Sequence, residues 1–135
     1  MWWTPAFPFK SAISGETGRQ IADAYQQKTG KQWLQTLGYT YALFDVAIAA
    51  LKGAADPTSR DAIRDSIAAL NVETLVGPVN FKDTHIKNVS TTYLAGGQWR
   101  KAKSGPFPYE LLIVNNKLAP VIPVESDLKL FSELA

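Results

Sequence analysis

The chain has 135 residues, 46% of them hydrophobic and 19% charged, a globular composition at the length of one ordinary domain. Lys and Arg number 14 against 12 Asp and Glu, and a net charge of +2 is too small to drive binding to nucleic acid or to an anionic membrane surface. The absence of cysteine excludes a disulfide scaffold, a thiolate zinc site and a cysteine nucleophile, and it leaves the redox compartment open.

Met1-Trp2-Trp3-Thr4-Pro5 has neither the basic region nor the small-residue cleavage site of an export signal, so the protein is expected either to be cytosolic or to start elsewhere. Residues Trp2 to Phe9 alternate aromatics with Pro5 and Pro8, which lack ladder donors, and this reads as an extended strand end or loop. From Glu16 to Lys28 the pattern turns helical, with Ile21, Ala24 and Tyr25 on one face and Thr29-Gly30 as the stop. Tyr41 to Leu51 is apolar almost all round, with Asp45 its lone charge, which predicts a helix buried on most of its circumference between a sheet and other helices. It is far shorter than the ~20 apolar residues of a membrane span. Asp56-Pro57 offers an N-cap and an N1 proline for a third helix, whose buried stripe is Ile63, Ile67 and Leu70.

After Asn71 the chemistry becomes that of strands. Glu73 to Phe81 is β-branched and interrupted by Gly77-Pro78, Thr91 to Leu94 leads through Gly96-Gly97 to Trp99, and Tyr109 to Val114 is a strand bounded by Asn115-Asn116. The tail, with Pro120 and Pro123, reads as irregular. Three helices followed by β-strands would suggest α+β for a self-contained domain. The apolar second helix, however, asks for a sheet that the residues before it do not supply.

Candidate chemistry is sparse. His85, the single histidine, sits in a polar connection beside Thr84 and Ile86 with Asp83 and Lys87 nearby, and no G-x-S-x-G elbow surrounds any serine. Zinc, calcium and phosphate-loop spacings are missing, so no metal or cofactor is expected. Trp99-Arg100-Lys101-Ala102-Lys103 reads as a solvated strand end rather than a nucleic-acid platform, and Asn88-Val89-Ser90 is a chance-level glycosylation match. The aromatics Trp2, Trp3, Phe7, Phe9, Trp33 and Tyr39 stand at loops and element ends, which suits either the wall of a ligand cleft or packing under proline-rich loops.

Several runs resemble a known family. Trp3-Thr4-Pro5-Ala6-Phe7-Pro8-Phe9, the segment Gly18 to Gly30, Leu37-Gly38-Tyr39, Tyr41-Ala42-Leu43-Phe44-Asp45-Val46-Ala47-Ile48, Val76-Gly77-Pro78-Val79-Asn80-Phe81, Gly96-Gly97-Gln98-Trp99-Arg100 and Tyr109-Glu110-Leu111-Leu112-Ile113-Val114 resemble the C-terminal portion of type I periplasmic solute-binding proteins of ABC transporters, branched-chain amino acid (Leu/Ile/Val) class. The resemblance implies an α/β fold, an incomplete part of a two-lobe assembly. Residues 1–82 would complete the first lobe and residues 83–135 would give strands and tail to the second. It further implies a periplasmic, non-enzymatic binding component for an amino acid or similar small carboxylate, with an ABC permease as partner. On this likeness Trp3, Phe7 and Tyr39 are candidate ligand-wall residues. The rival expectation is a small interaction or assembly module using the same exposed aromatics.

If the covering sheet is absent, Phe44, Val46, Ile48 and Leu51 would stay wet at roughly 1.5 to 3 kcal/mol each, and the edges of Tyr109 to Val114 would be unpaired. A homo-oligomer formed by strand pairing, swapping or helix packing is then expected.

Overall fold

A computed structural model describes residues 1–82 and 84–134. Three helices, α1 (Gly18–Thr29), α2 (Gln35–Gly53) and α3 (Arg60–Ala68), precede four strands, β1 (Asn71–Thr74), β2 (Gly77–Asn80), β3 (Gly96–Lys101) and β4 (Tyr109–Asn115), and a 3-10 turn covers Phe131–Glu133. The strands form two separate antiparallel hairpins, β1 with β2 and β3 with β4. This is a mixed helix-and-strand architecture, in the expected order.

Local chemistry explains where the elements begin and end. Thr17 caps α1 as half of a capping box: its hydroxyl accepts from the Gln20 amide at 3.3 Å while the Gln20 side-chain oxygen accepts from the Thr17 amide at 2.9 Å. The helix stops at Gly30, whose φ of 67° only a glycine adopts cheaply. Its inner face is Gly18, Ile21 and Ala22, one step away from the expected Ile21, Ala24 and Tyr25. Helix α2 begins at Gln35, six residues before the apolar run that announces it. Helix α3 is capped by Ser59, not by Asp56 and Pro57. The Asp56 carboxylate accepts from the Thr58 amide at 2.8 Å and the Thr58 hydroxyl at 2.7 Å, which folds a separate turn ahead of the helix. Replacing Thr17 with alanine should therefore lower stability by about 1 kcal/mol, read as a shift of the urea midpoint, whereas Asp56→Ala should leave the helix start of α3 in place.

The β1–β2 hairpin pairs Asn71 with Asn80 and Thr74 with Gly77 around Leu75 and Val76, both buried. The Thr74 hydroxyl donates to the Gly77 carbonyl at 2.7 Å and accepts from the Val76 amide, so the side chain closes the turn. Thr91 to Leu94, expected to be extended into a strand, is irregular; pairing begins at Gly96, with a bulge between Gly96 and Gly97. The tail is irregular as expected, yet it is tied down. Glu125 bonds Ile113 twice, its amide donating to the Ile113 carbonyl at 2.8 Å and its carboxylate accepting from the Ile113 amide at 2.9 Å, and Arg100 donates to the Ser126 hydroxyl and the Asp127 carbonyl. The edge of β4 is thus occupied at Ile113 by the chain itself, contrary to the expectation of an unpaired edge.

One core cluster joins the whole chain. Trp3, Phe7, Ile21, Ala22 and Ala42 from the first part pack with Leu75, Val76, Ala95, Ile113 and Ile122. The N-terminal amine donates to the Ala95 carbonyl at 2.6 Å, fastening the aromatic leader to the irregular segment that leads into β3.

Helix α2 departs from expectation. It is buried only along Gly38, Ala42, Asp45 and Ala50. Leu43, Phe44 and Leu51 are 59%, 62% and 45% exposed, while Val46 and Ile48 are half-buried. The hairpin β1–β2 and helices α1 and α3 cover one side of α2 and leave the other open.

Candidate functional site

The three candidate ligand-wall residues separate. Trp3 has no exposed surface and Phe7 almost none; both point into the core. Trp3 stands edge-on to Trp33 with centroids 5.7 Å apart, between α1 at Gly18 and α2 at Gly38. Phe7 meets Phe9 edge-on at 6.2 Å, and Phe9 stacks on Tyr93 at 5.4 Å. These rings form the packing layer beneath the N-terminal leader. Tyr39 is on the surface instead, at 40% exposure and 6.0 Å from the ring of the exposed Trp2.

Tyr39 lines a shallow apolar groove of about 150 Å³ between α2 and the first hairpin, with Leu43 and Val46 on one wall and Val76, Val79 and Phe81 on the other. The groove is a product of sequence spacing: residues 39, 43 and 46 lie on one face of α2, and alternate residues of β2 and its exit face it. Ser90 and Thr92 are its polar members. The groove can hold an apolar side chain and offers few fixed donors.

A larger cleft of about 580 Å³ surrounds the exposed His85, with Asn71, Asn80, Ser90 and Tyr93 in its lining. The Ser90 hydroxyl accepts from the Asn80 amide at 3.1 Å and so braces the cleft wall against β2. Asp83, expected near His85, lies outside the described residues. Among the described residues no group of three or more His, Asp or Glu is placed to hold a metal ion, and no helix is long and apolar enough to cross a membrane.

The most unusual polar contact is in the core. Asp45 is fully buried, and its Oδ1 accepts from the Ser11 hydroxyl at 2.6 Å while Oδ2 has no partner. Ser11 in turn accepts from the amides of Ile13 and Ser14 at 3.2 Å each, so one carboxylate organises the loop between Lys10 and Thr17. Desolvation pushes the Asp45 carboxyl above its ordinary value, and the hydrogen bond from Ser11 opposes that rise. The sequence flags Asp45 as a lone charge in an apolar helix; its partner Ser11, 34 residues earlier, carries no such signal.

The surface has an unusual extent. A folded monomer of 14.8 kDa exposes about 7,000 Å² on the general size relation, whereas this chain exposes 8955 Å². The open side of α2 and the tail, where Leu128, Leu130 and Phe131 are 71%, 70% and 92% exposed, supply apolar parts of it. Comparison with family models, with curated proteins and with solved structures gives no match.

Proposed function

We propose that this chain is the C-terminal part of a periplasmic solute-binding protein, one that takes up an amino acid or similar small carboxylate by closure of two lobes and delivers it to an ABC permease. The chain completes the first lobe and lends strands to the second, and its role is binding rather than catalysis. The observation that carries the reading is the uncovered side of α2: a helix this apolar, exposing Leu43, Phe44 and Leu51 in a chain with about 2,000 Å² of surplus surface, is built to lie against further structure. In a two-lobe α/β protein that structure is the sheet of the first lobe, whose helices cover its faces. With Trp3 and Phe7 in the core, Tyr39 is the aromatic of the three left in a position to face a ligand.

The assembly-module reading draws on the same exposed residues, Trp2, Tyr39, Leu43 and Phe44. The two are separated by the reading frame upstream of Met1. Calorimetric titration with Leu, Ile, Val and the aromatic amino acids is expected to give no heat with this chain alone and micromolar affinity, about −8 kcal/mol, with the product of the longer frame. Micromolar binding by the chain alone, or silence from the longer product toward every amino acid, would overturn the proposal. A ribosome site directly before Met1 with no continuing frame would favour the assembly module.

A further inference from the structure

A further cavity, of about 630 Å³, lies between α3 and the segment that follows β2. Its apolar floor is Ile63 and Ile67, one helical turn apart on α3, together with Phe81. The Phe81 amide donates to the Leu70 carbonyl at 3.0 Å, so the exit of β2 is fixed beside the chain leaving α3. Three cations line the same cavity, Arg60 and Arg64 from the helix and Lys87 from the loop after β2. The place of Lys87 is built locally. The Val89 amide donates to the Ile86 carbonyl at 3.1 Å, Asn88 takes a left-handed φ of 64°, and the Asn80 amide donates to the Ser90 hydroxyl at 3.1 Å, which ties the loop back to β2.

Folding does not ask for this arrangement of charge. Arg60 stands in the first turn of α3, where the helix dipole disfavours a cation, and Arg60 and Arg64 are like charges four residues apart. Among the described residues the ion pairs are Arg64 with Asp61 and Arg64 with Asp65, each at 2.8 Å, and they engage neither Arg60 nor Lys87. Asp65, the carboxylate in the cavity lining, is thereby held by Arg64. Two further cations, from two separate segments, are left to converge on one cavity with an apolar floor. Their alkyl stems can add to that floor while the charged heads stay at its rim.

We infer that this cavity binds a medium-chain carboxylate, with its head between Arg60 and Lys87 and its alkyl chain over Ile63, Ile67 and Phe81. Charge complementarity selects the head: the guanidinium fork of Arg60 takes a carboxylate bidentately, and the Lys87 ammonium adds a second charge-assisted bond. The floor selects the body, since it offers apolar surface and no fixed donors for a polar one. The volume falls within the roughly 300–1,000 Å³ of small-molecule sites, so the occupant is a whole molecule. A membrane surface is the weaker fit because the chain as a whole carries only +2. This site is made entirely by the present chain, unlike the two-lobe site of the proposed function, and does not rest on that reading.

Calorimetric titration of the complete chain with decanoate, below its micelle-forming concentration, tests the inference. Saturable binding is expected, weakening as salt is raised, with decanol and decyltrimethylammonium weaker by about tenfold or more. Arg60 and Lys87 are exposed, so Arg60→Gln and Lys87→Gln should keep the helical circular dichroism, and each should weaken decanoate by about tenfold. Ile67→Ser should weaken it as well, whereas Phe44→Asp, on the open side of α2, should change nothing. Should Ile67→Ser fail to fold, the two charge variants decide. No saturable binding by the parent chain overturns the inference, as does equal affinity for decanol. A loss with Phe44→Asp that Arg60→Gln does not share places the ligand on α2 and overturns it too. So does sedimentation with phosphatidylglycerol vesicles that Arg60→Gln abolishes while decanoate is silent, which would make this face a membrane contact. The amino acid titration of the longer product is a separate measurement, so the two readings fail independently.

Discussion

Trp3→Ala should lower the stability of this chain by about 3–5 kcal/mol, a large share of the roughly 5–15 kcal/mol that holds a domain together. The indole is fully buried, it fills the space where α1 and α2 come closest to the leader, and its edge rests on Trp33. Gly18 and Gly38 make that space. A β-carbon at Gly18 would stand 3.2 Å from the indole, and one at Gly38 would overlap it outright. Gly38→Ala should therefore cost about 1–3 kcal/mol despite alanine's better helix propensity, since the ring is held on all sides and cannot swing away. The two effects share one contact, so Trp3→Leu combined with Gly38→Ala should cost less than the sum of the single changes. Trp3→Phe should be milder than Trp3→Ala for a further reason: the buried indole N–H has no acceptor, and phenylalanine carries no such donor. Urea unfolding followed by circular dichroism measures all five variants, the single Trp3→Leu included. An unchanged midpoint for Trp3→Ala would mean that the ring is not core packing and would return it to consideration as a ligand wall.

The same pair explains why the start of α2 is hard to read. Gly38, a weak helix former, interrupts the run before the apolar stretch at Tyr41, and from sequence it resembles a boundary. In the structure it lies inside the helix because a side chain from 35 residues earlier occupies the space of its missing Cβ. Propensity is local and the reason for Gly38 is not. The cap of α3 misleads in the opposite direction: Asp56-Pro57 has the chemistry of a helix start, and Ser59, two residues on, has it too. The carboxylate of Asp56 turns back on Thr58, and the helix waits one more turn. Strand β4 and the β1–β2 hairpin were legible because their signals are local, a run from Tyr109 to Val114 with Asn115-Asn116 at its end, and Gly77 at the turn. Thr91 to Leu94 has similar residues without a partner to pair with, and pairing is decided across the fold. The candidate site follows the same division. Tyr39 is exposed beside a groove, but Trp3 and Phe7 were indistinguishable from it in sequence, since an aromatic in a loop looks alike whether it faces a ligand or a core. The composition of α2 predicts burial on most of its circumference, and the structure buries only the line of Gly38, Ala42, Asp45 and Ala50, because what lies over a helix is decided by the rest of the fold.

The pH dependence of stability should trace to Asp45. Its carboxyl has no contact with water, one oxygen bonded to Ser11 at 2.6 Å and the other without a partner. Burial raises its folded-state pKa above the ordinary 3.8, with the Ser11 hydroxyl pulling back against the rise. The sign follows from proton binding. Between the unfolded value near 3.8 and the raised folded value, the folded chain binds more protons than the unfolded one, so stability falls as pH rises through that window. The contribution is fully present below the unfolded pKa and lost above the folded one, with a slope approaching about 1.4 kcal/mol per pH unit inside the window. Asp45→Asn removes the charge and keeps an oxygen to accept from Ser11, so it should flatten the profile and gain on the parent chain as pH rises from about 4 toward neutrality. Ser11→Ala should do the reverse. It takes away the hydroxyl that favours the carboxylate, leaves both oxygens short of donors, and should cost about 1.5–3 kcal/mol at neutral pH, with a smaller loss in acid. It also frees the amides of Ile13 and Ser14, so hydrogen exchange across residues 11–16 should quicken in the Ser11 variant and stay slow in Asp45→Asn. Urea midpoints taken across that pH range distinguish the cases, and parallel curves for Asp45→Asn and the parent chain would show that this carboxylate titrates as if it were in water.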